Sequence, residues 1–104
     1  MSLYPKIQLS KIREIGWGLW DPIGLRNPDG SLIGDCADEY DRYLLAVVSM
    51  MCLGQTRADA ATYLFQIAAD YMGVPMPSHK AASDTSNAIA DYLTSLPDGP
   101  RGVL

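Results

Sequence analysis

Histidine is almost absent: His79 is the only one in 104 residues. Nucleophilic catalysis needs a nucleophile with a positioned base, and this chain has one imidazole to offer. Cysteine is nearly as scarce. Cys36 and Cys52 do not make a disulfide framework, and with His79 they match no zinc spacing. Positive charge is thin as well. Lys6, Lys11, Arg13, Arg26, Arg42, Arg57, Lys80 and Arg101 are scattered, and the formal charge is −4, so a nucleic-acid binder is excluded. No basic region with a following apolar run marks the N-terminus as a secretory signal. The most apolar stretch, 43–53, is too short to cross a bilayer. The expected compartment is therefore the cytoplasm, with no membrane partner. Gly16-Trp17-Gly18 has no further glycine placed to make a phosphate loop.

What remains is globular composition: 48% hydrophobic and 19% charged residues, in a length that suits one domain. The hydrophobic spacing predicts an all-α domain of four helices near 8–20, 36–53, 57–72 and 79–96, with a core over about 8–96. Ser10 is a candidate cap for the first helix, with Ile12, Ile15 and Leu19 at helical spacing. Gly16 and Gly18 weaken it by up to about 1 kcal/mol each relative to Ala. Pro22 disfavours helical backbone at Asp21, which ends the helix at Trp20.

A long connection follows, with a turn at Asn27-Pro28-Asp29-Gly30 and room for no more than a short hairpin. The second helix should start near Asp35, with Asp38, Glu39 and Asp41 at its positive end and Arg42 within pairing distance of Asp38 and Glu39. From Tyr43 to Leu53 it is apolar on almost every side, the mark of a central helix, and Gly54 is placed to end it. Thr56-Arg57-Ala58-Asp59 is a capping box for the third helix, and Gly73 with Pro75 and Pro77 closes it. Ser78 can cap the fourth helix, although the poor helix formers from Ser83 to Asn87 leave Ser83 as an alternative start. Pro97 stops it, and 97–104 reads as a mobile tail. A helix between Cys36 and Cys52 would hold them about 24 Å apart, well beyond disulfide reach.

The stretch that stands out is Trp20-Asp21-Pro22-Ile23-Gly24-Leu25, taken with Asp35-Cys36-Ala37-Asp38-Glu39-Tyr40-Asp41. Its plain reading is structural: a large ring pins a loop to the core, and carboxylates stabilise a helix start. Its functional reading is a partner-binding patch of Trp20, Asp21, Ile23, Leu25, Asp38, Glu39 and Asp41, apolar at the centre and acidic at the rim. The same carboxylates could hold a hard cation, but they lack the spacing of an EF-hand loop. Cys36 stands near a helix start, which favours a thiolate, yet Asp35 and Asp38 beside it oppose that. Cys52 and Met50, Met51, Met72 and Met76 read as core filler, and His79 as an exposed or capping residue.

Trp20-Asp21-Pro22-Ile23-Gly24, Asp38-Glu39-Tyr40-Asp41, Tyr63-Leu64 and Tyr71-Met72-Gly73 together resemble a group of small bacterial proteins. In that group a Trp-Asp-Pro-(Ile/Phe)-Gly element precedes a helix rich in Glu and Tyr. The likeness spans about residues 11–73. It implies a compact helical fold of bacterial origin and brings no established activity. Its kinship in size with immunity-type and accessory proteins is analogy only.

The expectation is a non-enzymatic interaction protein with a protein partner of basic character, no catalytic residue, no cofactor and no metal. The alternatives are a metal-dependent enzyme built on the carboxylates near Asp21 and Asp38, and a homo-oligomer that uses the apolar excess of the second helix.

Overall fold

The computed structural model describes residues 7–20, 40–74 and 76–97. Within them the protein is all-α, with four helices and no strand. Helix α1 spans Leu9–Ile15 and runs on as a π-helical turn, Gly16–Trp20. Helix α2 spans Asp41–Cys52. Helix α3 spans Arg57–Gln66 and also continues as a π turn, Ile67–Tyr71. Helix α4 spans His79–Ser95. The expected loop and turn over 21–35, the capping role of Asp35, the Arg42 pairs with Asp38 and Glu39, the separation of Cys36 from Cys52 and most of the tail lie outside the described residues.

Local chemistry explains most of the boundaries. Thr56 and Asp59 close the reciprocal capping box: the Asp59 N–H donates to Thr56 Oγ1 at 3.0 Å and the Thr56 N–H to Asp59 Oδ2 at 3.3 Å. Ser78 Oγ accepts from the Ala81 N–H at 3.0 Å, so α4 starts there and not at Ser83. At the end of α2, the Gln55 N–H reaches the Met50 carbonyl at 2.9 Å and the Gly54 N–H reaches Met51 at 3.1 Å. This Schellman closure requires the left-handed backbone that Gly54 adopts at φ 95°.

Ser10 does not cap α1. Gln8 is the cap residue, without a side-chain bond, and Ser10 lies inside the first turn. The start is held from outside the helix instead, by the Gln8 N–H donating to the Tyr92 hydroxyl of α4 at 2.9 Å.

The core joins all four helices through Ile12, Trp17, Trp20, Tyr40, Leu44, Val47, Leu64, Ile89 and Leu93. Helix α2 touches the other three, as its apolar sequence led one to expect, yet Leu45 stays 37% exposed. Helix α4 is as central despite its polar sequence, because its buried stripe is built from small residues: Ala82, Thr85, Ser86 and Ala90 beside Ile89 and Leu93. Ser86 is reconciled with burial by donating to the Arg57 carbonyl at 2.7 Å. Helices α3 and α4 are antiparallel: Arg57 at the start of α3 meets Asn87 and Asp91 late in α4, while Phe65 near the other end meets His79.

Candidate interaction surface

Two aromatic residues leave α1 and two enter α2, and they close on one another. Tyr40 is fully buried, with its ring 4.6 Å from Trp17 and 5.3 Å from Trp20. Trp20 also meets Tyr43 at 6.2 Å, and Tyr43 meets Tyr71 of α3 at 5.8 Å, both edge-on, the geometry that ring quadrupoles favour. Both π turns end on a ring of this chain, Trp20 and Tyr71. A π turn carries one more residue than an α turn, which resets where the last side chain points. Gly16 permits the approach of α1 to α2: a β-carbon there would lie 2.5 Å from Leu44 Cδ1.

The sequence-predicted site residues divide three ways. Trp20 is 6% exposed and is a core residue first, offering solvent only an edge. Asp41 opens α2 after the cap residue Tyr40, not near 36 as the spacing predicted, and its carboxylate faces Arg13 of α1. Arg13 Nε donates to Asp41 Oδ1 at 3.0 Å and Nη2 to Oδ2 at 2.7 Å, a bidentate fork that joins two helices. Asp21, Ile23, Leu25, Asp38 and Glu39 lie outside the described residues, and Cys36 with them. Among the described residues, no three His, Cys, Asp or Glu side chains gather in a way that could hold a metal ion. No helix among them is long and apolar enough to cross a membrane.

The edge of Trp20 forms part of the wall of a cleft of about 190 Å³, shared with Phe65, Ala68, Val74, Met76, Pro77, Ser78 and Ala81. The lip of this cleft is apolar where Met76 lines it. Met76 is 91% exposed, and Tyr71, linked to Trp20 through Tyr43, is 67% exposed. Met76 overturns the expectation that all four methionines fill the core. Met51 is buried and Met50 and Met72 pack against the core, but Met76 sits between Pro75 and Pro77, where no helical face exists to carry it inward. That spacing was the available signal, and residue type obscured it.

On the other side of Phe65, its ring stacks on His79 at 3.9 Å with an interplanar angle of 9°. His79 is exposed in the first turn of α4, as expected, but the stack was not foreseen, because only the antiparallel packing of α3 and α4 brings the two rings together. Cys52 packs against the core, and burial pushes its thiol above the ordinary value. Burial raises Tyr63 too, against a smaller opposing pull from Arg42.

These features present two recesses, one with exposed Met76 on its wall and one with His79 and Ser83 on its rim. No family model, no curated protein and no solved structure matches this chain.

Proposed function

We propose that this protein is a small non-enzymatic interaction module of the accessory or immunity-like kind, working in the cytoplasm, and that its partner sits on the Met76–Tyr71 lip. The observation that carries the reading is the 91% exposure of Met76 on the wall of the Trp20 cleft, with Tyr71, 67% exposed, joined to Trp20 through Tyr43. Exposed methionine and tyrosine are the side chains enriched in protein interfaces, where their flexible or amphipathic bodies fill pockets of a partner. The net charge of −4 suits a basic partner, whose rate of association falls as salt rises.

The test begins with a partner captured from the native host and purified. It should bind a Met76→Asp variant at least about tenfold more weakly than the unaltered chain, the loss expected of a central contact. Both substitution sites, Met76 and Tyr71, are exposed, so folding should survive either change. Equal affinity for Met76→Asp and Tyr71→Lys would remove this surface from the reading.

A further inference from the structure

The antiparallel pair α3–α4 carries a second recess that shares only Phe65 with the Met76 cleft. Its volume is about 380 Å³, and Ala58, Ala61, Thr62, Phe65, Gln66, His79, Ala82 and Ser83 line it. That volume falls at the small end of the range for ligand pockets, about 300–1,000 Å³. An adjoining recess of about 220 Å³ shares Ala58, Ala61 and Ser83 and reaches Arg57 and Asn87.

The chemistry of the lining is ordered. Buried Ala82 and half-buried Ala61 lie deepest, Ala58 is exposed, and the Phe65–His79 stack belongs to the same lining. The rims are polar: Thr62 and Gln66 stand one turn apart on α3, and His79 and Ser83 stand one turn apart on α4. The side chains of Thr62, Gln66 and Ser83 have no hydrogen-bond partner among the described residues, and no Asp, Glu, Lys or Arg lines the larger recess.

Each property narrows the occupant. The absence of Asp, Glu, Lys and Arg from the larger recess disfavours an ionic ligand, which would leave water without a fixed opposite charge. A plain hydrocarbon would strip water from four polar rim groups and return nothing. A flat molecule with apolar faces and hydrogen-bonding edges meets both demands: its faces lie on the alanines and against the ring stack, and its edges reach hydroxyl, amide and imidazole. Gln66 can donate and accept at once, and either nitrogen of His79 can do one or the other.

We infer that the α3–α4 recess is a binding site for a small, uncharged, planar heteroaromatic ligand of nucleobase size. This goes beyond the interaction role; the two sites share only Phe65, and the substitutions that test them fall on different residues, so either can fail without the other.

Adenine is the probe, followed on the full chain by backbone amide NMR, with toluene as a ring that lacks polar edges. Adenine should shift Ala58, Ala61, Thr62, Gln66, His79 and Ser83 with millimolar affinity, and toluene should not. Ala61→Phe fills the recess and should abolish the shifts. In case that variant fails to fold, Gln66→Ala and Ser83→Ala change only exposed rim groups and should each weaken adenine binding by about tenfold, the reach of one lost hydrogen bond. The inference is overturned if adenine shifts residues elsewhere or none, if toluene shifts the same residues equally, or if both rim variants bind as the unaltered chain does.

Discussion

The α1–α2 end and the α3–α4 pair solve the same packing problem with opposite materials. At α1–α2, large rings interlock: Trp17, Trp20, Tyr40 and Tyr43 stand 4.6 to 6.2 Å apart, and a glycine opposite Leu44 makes room for them. Along α3–α4, small side chains let the helices lie together, with Ala60, Ala82, Ser86 and Ala90 buried, the Ser86 hydroxyl donating to the Arg57 carbonyl and the Arg57 guanidinium meeting Asp91. The first arrangement concentrates stability in a few bulky residues. The second spreads it over many slight ones and leaves shallow recesses between the ridges. Rings spaced this way should be intolerant of substitution, whereas an alanine-lined seam should absorb changes on its rim.

The sharpest way to break the contrast is Trp20→Ala. It should cost about 3–5 kcal/mol in urea unfolding, the usual price of truncating a buried aromatic. A change under about 0.5 kcal/mol would show that the aromatic end is not where stability is concentrated. Next is Asp41→Asn, which removes the charge from a half-buried fork while keeping its shape. The expected loss is about 1.5–3 kcal/mol, the range for hydrogen bonds to charged groups, reduced toward the lower bound because Arg13 is partly solvated. A loss that disappears in high salt would mark the pair as a screened surface contact only.

The two glycines of the first π turn should respond with opposite signs. Gly16→Ala drives a β-carbon against buried Leu44 and should destabilise by about 1 kcal/mol, the overpacking cost less the gain in helix propensity. Gly18→Ala meets nothing within 4 Å and should stabilise by about 0.5–1 kcal/mol. Matching signs in chemical denaturation would refute the close approach of α1 to α2. An effect of similar size belongs to α4. Thr85 is fully buried and its hydroxyl has no hydrogen-bond partner among the described residues, so Thr85→Val should raise stability by about 1 kcal/mol. A loss in thermal unfolding would mean that the hydroxyl is satisfied after all.

The sequence was most legible where local chemistry decides the outcome. Thr56 with Asp59, Ser78 and Gly54 are readable because a cap and its helix lie within a few residues of each other. Helical spacing likewise placed Ile12, Leu64, Ile89 and Leu93 on buried faces. What escaped depends on partners far apart in the chain. Asp41 looked like one member of an acidic cluster, and only the packing of α1 on α2 hands it to Arg13. Phe65 and His79 belong to different helices, and nothing local links them. Gly16 looked like a weakness in a helix because the cost of its backbone freedom is local, while its benefit lies across the interface at Leu44. The two π turns had no signal at all, since one extra residue per turn leaves the spacing of apolar residues nearly unchanged.

The contact between Trp20 and Tyr40 also has a polymer meaning. With those rings 5.3 Å apart, residues 21–39 are the strand of a ring whose two ends are already clasped. The entropy of closing such a ring grows only with the logarithm of its length, about 0.6 kcal/mol for each doubling. Part of what the Trp20–Tyr40 contact contributes is therefore offset by the cost of that closure.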